Sequence, residues 1–139
     1  PVSILIGELD FFEQYAQANG DGRSLEVLQS VASNLNETFR RAGDLVARVG
    51  DTRFAVILPE ADAQTGQRFA ERLRKCVYDM CLPFPASEAA DRLTMSGGLT
   101  TLPPTRLHER REAVTRAVSA LQHAQSSGYN RVASAADAA

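Results

Sequence analysis

The chain has 139 residues, of which 44% are hydrophobic and 23% are charged, a composition typical of one soluble globular domain. Its formal net charge of −2 gives no electrostatic basis for binding nucleic acid. No apolar run approaches the roughly 20 residues that a membrane span requires, and no signal peptide opens the chain. We therefore expect a cytoplasmic location without direct membrane contact, with the alternative that the domain is the cytoplasmic part of a larger, membrane-attached protein. Because the chain begins inside an apparent strand, we also expect it to be a fragment of a larger protein.

Cysteine and histidine residues give little sign of a metal site. Cys76 and Cys81 lie near the end of a predicted helix without a His or Cys cluster beside them, and His108 and His123 are isolated. Free thiols in a cytosolic protein are the simpler interpretation, with a disulfide or a metal site as the minor alternative.

The first third of the chain predicts one strand and two helices. Residues 2–8 form a short apolar run typical of a buried strand. A short helix is predicted over residues 11–18, ending at Asn19-Gly20. A longer amphipathic helix follows over residues 24–41, and Gly43 is its predicted C-terminal stop.

The middle of the chain predicts a hairpin followed by a long helix. Residues 45–49 and 53–58 are two short strands joined by the compact turn Gly50-Asp51-Thr52. Asp62 is predicted to cap a helix that runs to Met80. The side chains expected to face inward from this helix are Phe69, Ala70, Leu73, Cys76, Val77 and Met80.

The last third predicts a loop over residues 83–91, a strand over 93–99 with an irregularity at Gly97-Gly98, a helix over 108–126 and a short strand over 130–133. Its inward-facing helix residues are expected to be Val114, Ala117, Val118, Leu121 and Ala124. The order βααββαβαβ predicts an α/β fold with a mixed sheet and a central antiparallel hairpin. One domain is expected over residues 1–133, with a disordered tail over 134–139.

The residues around the predicted hairpin resemble the centre of a GGDEF domain, the domain of diguanylate cyclases. The segment RAGDLVARVGDTRFAVILP, residues 41–59, follows the family pattern R-x-x-D, then R-[YF]-GGDEF, then an apolar strand ending in Pro. Four further segments resemble family motifs in the same order: ILIGELDFF at 4–12, AERLR at 70–74, SGGL at 96–99 and SGYNRV at 127–132. The resemblance implies the palm-like fold of nucleotidyl cyclases.

The resemblance also implies a chemistry, in which two GTP molecules are joined while two divalent metal ions stabilise the developing charge. Mg²⁺ requires oxygen ligands, which in the family come from the end of the first strand and from the hairpin. Glu8 keeps a carboxylate at the strand end, but Thr52 and Arg53 stand at the hairpin positions. A unit positive charge about 4 Å from a divalent ion costs about 8 kcal/mol at an effective dielectric constant of about 20.

Other positions that bind GTP in the family differ as well. Ala16 and Leu25 stand where an Asn and an Asp read the guanine edge, and Gln125 and Tyr129 stand where a Lys and an Arg hold the triphosphate. We therefore expect a degenerate domain that is not an enzyme, with no catalytic residues, no metal ligands and no cofactor.

Arg41 and Asp44 stand at the position of the family's product-inhibition site. An Arg fork can donate twice to guanine O6 and N7, and a carboxylate can accept from guanine N–H groups. At a helix end, residues three apart would point the same way. The resemblance adds Arg72, the Arg of AERLR, as a third contact. The predicted ligand is cyclic di-GMP, bound by Arg41, Asp44 and Arg72.

The same spacing occurs twice in this chain. Arg48-x-x-Asp51 repeats it, so only the distance before the hairpin makes the first instance informative. Arg41 and Asp44 could also form a surface ion pair of little energetic weight.

The predicted function is that of an inactive cyclic di-GMP receptor module, flanked by other signalling domains in a bacterial signalling protein. The alternative is a ligand-free pseudoenzyme domain used for dimerisation or protein docking, and a homodimer is left open. A third hypothesis, GTP binding without turnover, is disfavoured because Ala16 and Leu25 cannot read guanine.

Overall fold

The computed structural model describes residues 1–135, and within them the chain forms the predicted order of elements. The strands are β1 Val2–Leu9, β2 Leu45–Arg48, β3 Arg53–Pro59, β4 Met95–Leu102 and β5 Val132–Ser134. The helices are α1 Phe12–Asn19, α2 Asp21–Thr38, α3 Ala63–Tyr78 and α4 Arg110–Ser126, with a 3₁₀ turn over Pro104–Glu109. The α/β class and the order βααββαβαβ are confirmed.

The five strands form one mixed sheet in the order β2-β3-β1-β4-β5. β1 lies at its centre and pairs antiparallel with both β3 and β4, while β2 and β3 form the predicted hairpin with β2 at the sheet edge. β5 pairs in parallel with β4. The register sets Glu8, near the end of β1, opposite Arg53 at the start of β3.

Helices cover both faces of the sheet, which explains why β1 is apolar without alternation. Leu5 and Leu9 join the larger core together with side chains of α2 and α3. Ile4 and Ile6 point to the other face and join a smaller core with α4. This arrangement leaves the end of β1 and the hairpin tip at one end of the sheet.

β4 runs without interruption through Gly97-Gly98, so the predicted irregularity is absent. Gly98 instead lets α4 approach the sheet closely, since a Cβ at this position would lie 2.1 Å from the carbonyl oxygen of Ala117. The same close approach corrects the predicted interior of α4. The small residues Ala113 and Ala120 are buried against the sheet, whereas Val114 is 45% exposed.

Two predicted boundaries also differ. α2 ends at Thr38 rather than near residue 41, because Phe39 leaves the helix and inserts into the core. Ser134, placed in the tail from the sequence, is the last residue of β5, and the next backbone N–H, that of Ala135, donates to the oxygen of Leu99. The rest of the predicted tail, residues 136–139, lies outside the described residues.

Two further expectations concern thiols and membranes. Cys76 is half-buried and Cys81 is exposed, and both are free thiols. Across residues 1–135 no helix combines the length and apolarity needed to cross a bilayer.

Candidate functional site

Arg41 and Asp44 lie in a tight turn between α2 and β2. The backbone N–H of Asp44 donates to the oxygen of Arg41 at 3.0 Å, and Gly43 has a φ of 83°, in the left-handed region that favours glycine. The prediction that a helix end aligns the two side chains is therefore wrong. The alignment comes from the glycine turn, which begins after the helix has ended.

The two side chains form a close ion pair. Arg41 Nε donates to Asp44 Oδ1 and Oδ2 at 3.2 and 3.3 Å, and Nη2 donates to Oδ1 at 3.1 Å. The Arg41 backbone N–H adds a bond of 3.0 Å to Oδ2, and Nη2 also donates to the oxygen of Pro59 at 3.1 Å. The Asp44 side chain is 0% exposed and that of Arg41 is 37% exposed. The carboxylate is thus covered by Arg41, while Nη1 of Arg41 makes no bond to residues 1–135.

Arg72 lies on α3, beside the same turn. It is exposed, and within the described residues its guanidinium makes no hydrogen bond or ion pair. Its Cζ lies 5.0 Å from the centroid of the Phe69 ring, and the Cζ of Arg41 lies 4.7 Å from the same centroid. The guanidinium groups of Arg41 and Arg72 therefore lie near one aromatic ring, and Asp44 is linked to them through its ion pair with Arg41.

The second R-x-x-D segment makes different contacts. Arg48 Nε donates to the carbonyl oxygen of Gly50 at 3.0 Å, and Nη2 donates to the carbonyl oxygen of Asp51 at 2.6 Å. Both acceptors are backbone groups of the hairpin turn. Arg48 consequently closes the hairpin and forms no ion pair with Asp51.

The strand end and the hairpin tip meet, as the sequence predicts. Leu9 N–H donates to the oxygen of Thr52 at 3.0 Å, and Arg53 donates from Nε and Nη2 to Glu8 Oε2 at 2.8 and 2.5 Å. A pocket of about 480 Å³ opens beside them, lined by Glu8, Leu9, Phe11, Phe12, Glu13, Gln14, Asp51 and Thr52.

The sequence did not indicate the role of Asp10. This buried carboxylate accepts from Thr94 Oγ1 and Ser96 Oγ, both at 2.8 Å, and from the backbone N–H of Asn130 at 3.0 Å. Burial raises the pKa of Asp10, these three hydrogen bonds oppose the shift, and the neighbouring Glu8 adds to it. Asp10 thereby ties β1 to β4 and to the loop after α4. Two hydroxyl residues, spaced by two in an otherwise apolar segment, were the available signal.

The side chains at the strand end do not form a divalent-cation site in this arrangement. No cluster of three or more His, Cys, Asp or Glu residues able to hold a metal ion is found within residues 1–135. Glu8 shares an oxygen with Arg53, and the Asp10 carboxylate is occupied by three donors. A metal ion would require Arg53 to leave Glu8. The predicted loss of a Mg²⁺ site remains a prediction.

The four positions that bind GTP in the family are divided between surface and core. Leu25 is 53% exposed on α2, and Ala16 packs against the larger core. Tyr129 packs its ring on that of Phe11, with centroids 4.4 Å apart, and Gln125 is half-buried near the end of α4. None of the four supplies a charged group.

Comparison with known proteins identifies relatives across the whole domain. The family model described as "Diguanylate cyclase, GGDEF domain" matches residues 1–131. Diguanylate cyclase A of Treponema denticola is 30% identical over 131 residues, which cover 94% of this chain and 34% of that protein. This chain thus spans about a third of that relative's length.

Solved structures agree with the fold. The GGDEF domain of DgcB from Caulobacter crescentus superimposes with a TM-score of 0.83 at 24% identity, covering 97% of this chain and 78% of that one. The cyclase SiaD from Pseudomonas aeruginosa, solved with its activator SiaC, gives a TM-score of 0.79 at 26% identity, covering 96% and 49%.

The prediction that the chain is not an enzyme is contradicted by these comparisons, because relatives named diguanylate cyclases are 27% to 31% identical to it. That prediction rested partly on a fixed cation beside the metal position. The pair of Glu8 and Arg53 is partly exposed, at 26% and 34% of the two side chains, and a solvated guanidinium can turn away. The six substituted positions, Thr52 and Arg53 together with the four GTP-binding positions, do not outweigh a family match over residues 1–131. The chain belongs to the GGDEF family, the domain family of diguanylate cyclases.

Proposed function

We propose that this domain binds cyclic di-GMP on the surface formed by Arg41, Asp44 and Arg72. The observation that carries the proposal is the pairing of two guanidinium groups over one ring, with donors of both left unbonded within residues 1–135. Guanidinium N–H groups suit guanine O6 and N7, and a ligand with two guanines suits two such groups. The domain would then act as a regulatory module within a longer signalling protein.

In this proposal Asp44 does not accept directly from guanine, although the sequence predicts that it does. Its carboxylate already accepts from Arg41 Nε, Nη2 and N–H, and it has no exposed surface. It therefore acts on the ligand by orienting Arg41 rather than by accepting directly from guanine. Arg72, predicted as the third contact, is the cation whose donors are all available within residues 1–135.

The relatives supply further support. The solved GGDEF domain of DgcB is described as a complex with c-di-GMP, and we carry that ligand over to this chain as part of the proposal. At 24% identity the likeness itself concerns the fold, so the case rests on Arg41 and Arg72 of this chain.

Calorimetric titration of the 139-residue chain with cyclic di-GMP tests the proposal. We expect saturable heat at micromolar ligand concentrations, and none with cyclic di-AMP, whose adenine carries an amino donor in place of the O6 acceptor. Absence of heat with cyclic di-GMP at tens of micromolar would overturn the proposal in favour of a docking module. Equal binding of both dinucleotides would contradict guanine recognition by the two arginines.

The family reaction, formation of cyclic di-GMP from GTP, is the second candidate function, and the match over residues 1–131 favours it. Because Arg53 holds Glu8, we expect Arg53→Ala to increase product formation in the presence of Mg²⁺ or Mn²⁺. Chromatography of reactions with both proteins measures this. Equal product from both proteins would show that the ion pair does not limit the reaction.

A further inference from the structure

Phe69 lies at the centre of the proposed binding surface without being able to hydrogen-bond a ligand. It is half-buried on α3, and its ring packs on that of the buried Phe39, with centroids 5.9 Å apart at 46°. The guanidinium carbons of Arg41 and Arg72 lie 4.7 and 5.0 Å from the ring centroid. One ring therefore connects the hydrophobic core with both cations.

The two arginines depend on this ring to different degrees. Arg41 is also held by Asp44 and by the oxygen of Pro59. Arg72 has no other hydrogen bond or ion pair within residues 1–135, so the Phe69 ring is the contact that restrains its long side chain. A free Arg side chain samples many rotamers, and a ligand that binds it must restrict them.

We propose that Phe69 is a positioning residue for the dinucleotide site, because its ring holds the guanidinium groups of Arg41 and Arg72 where one ligand reaches both. The inference rests on the proposed function. A guanidinium over an aromatic face is stabilised by the negative electrostatic potential of that face. At exposed sites each such contact changes the equilibrium between the positioned and the free side chain about two- to fivefold. An aliphatic side chain of similar volume keeps the packing on Phe39 but lacks that attraction.

The first measurement compares affinities for cyclic di-GMP by calorimetry. Phe69→Leu should weaken binding about tenfold, since both cation contacts are lost. Phe69→Tyr and Phe69→Trp keep an aromatic face and should remain within about threefold of the wild type. Rescue by aromatic residues separates positioning from simple packing, which the leucine would preserve.

Tyr78 supplies a matched control on the same helix. Its ring also lies beneath two guanidinium groups, those of Arg74 at 5.5 Å and Arg92 at 4.4 Å. Tyr78→Leu removes the same kind of contact outside the proposed surface, so cyclic di-GMP affinity should not change. Thermal unfolding of every variant checks that each is folded.

A second measurement detects the positioning without ligand. Ring currents of Phe69 should shift the side-chain N–H proton resonances of Arg41 and Arg72 in NMR spectra, and Phe69→Leu should remove those shifts. The chain has no Trp, so Phe69→Trp also introduces a single tryptophan, which can be excited selectively and whose emission should change on titration with cyclic di-GMP.

The outcomes separate the two proposals. If the wild type binds and Phe69→Leu binds equally well, or if the arginine resonances do not move, the positioning role is overturned while the proposed function stands. If the wild type does not bind, the proposed function is overturned and the positioning role falls with it. A tenfold loss in Phe69→Leu, with aromatic rescue and an unaffected Tyr78→Leu, supports both.

Discussion

The two R-x-x-D segments of this chain have the same spacing and different structures. In the first segment, Arg41 donates hydrogen bonds from Nε and Nη2 to the carboxylate of Asp44. In the second, Arg48 donates to backbone oxygens of Gly50 and Asp51 and leaves the Asp51 carboxylate unbound within residues 1–135. Spacing alone therefore does not determine whether an Arg and an Asp pair.

Backbone conformation accounts for the difference. Gly43 turns the chain through the left-handed region between Arg41 and Asp44, which folds the two side chains onto each other. Arg48 ends the extended strand β2, and its side chain follows the turn of the hairpin instead. The first segment presents a charged group beside an exposed Arg72, whereas the second stabilises a turn.

Arg41→Ala should produce the largest effect. It removes guanidinium donors to guanine, and we expect cyclic di-GMP affinity to fall by about 100-fold or more, beyond detection by calorimetry. Arg48→Ala, from the structural segment, should bind as the wild type does if it remains folded. If Arg48 proved necessary and Arg41 dispensable, the binding surface would lie at the hairpin.

Asp44→Ala should weaken binding less, by about 1.5–3 kcal/mol, because Arg41 would lose its charge-assisted partner but keep its own donors. Asp51→Ala is the matched control, since Arg48 uses the backbone oxygen of that residue rather than its carboxylate. Calorimetry on both variants measures the contrast. Equal losses would mean that Arg41 is not oriented by Asp44.

Gly43→Ala tests the turn itself. An alanine at position 43 would have to adopt a φ of 83°, and its Cβ would lie 3.2 Å from Pro59 Cγ. The free energy of unfolding should therefore fall by about 1–2 kcal/mol. Gly50→Ala places its Cβ 3.5 Å from Arg53 Cβ, an ordinary contact, and should cost less than about 0.5 kcal/mol. Urea unfolding of both variants measures the two losses of unfolding free energy. A larger loss for Gly50→Ala than for Gly43→Ala would contradict the comparison.

Asp10 contrasts with Asp44, because its carboxylate accepts hydrogen bonds from neutral donors rather than from a guanidinium group. The pKa of Asp10 is raised above its ordinary value of 3.8, so the folded state holds the proton of this carboxyl group more tightly than the unfolded chain does. Its contribution to the free energy of unfolding is thus greatest below that value and decreases as the pH rises through the folded pKa.

The measurement is urea unfolding of the wild type and Asp10→Asn from about pH 3.5 to about pH 7. The stability of the wild type relative to the variant should decline as the pH rises. A relative stability that grows with pH would show that the three hydrogen bonds outweigh burial.

Much of the fold follows from the sequence because its signals are local. The apolar run of β1, the Gly50-Asp51-Thr52 turn and the Asp62 cap, which accepts from Thr65 N–H at 2.8 Å, all lie where they were predicted. The end of α2 was misplaced, since the apolar periodicity continues to Phe39. Only the tertiary core shows that Phe39 has already left the helix.

The site was harder to predict for the same reason. The positions of Arg41, Asp44 and Arg72 were identified by resemblance, but nothing local showed that Gly43 makes the turn. Phe69, expected to face the core, is half-buried and also lies beneath two guanidinium groups. The bonds of Asp10 join residues up to 120 positions apart, which no periodicity detects.

The contact between Gly98 and α4 determines which positions of the sheet can vary. A Cβ at Gly98 would lie 2.1 Å from Ala117 O and 2.4 Å from Leu121 N, backbone atoms that can move only with the whole helix. At Gly7 the obstructing atoms belong to side chains, Met95 Sδ at 2.8 Å and Leu73 Cδ2 at 2.9 Å, which can change rotamer. In a saturation library, position 98 should therefore accept glycine alone, whereas position 7 should accept alanine when its neighbours become smaller.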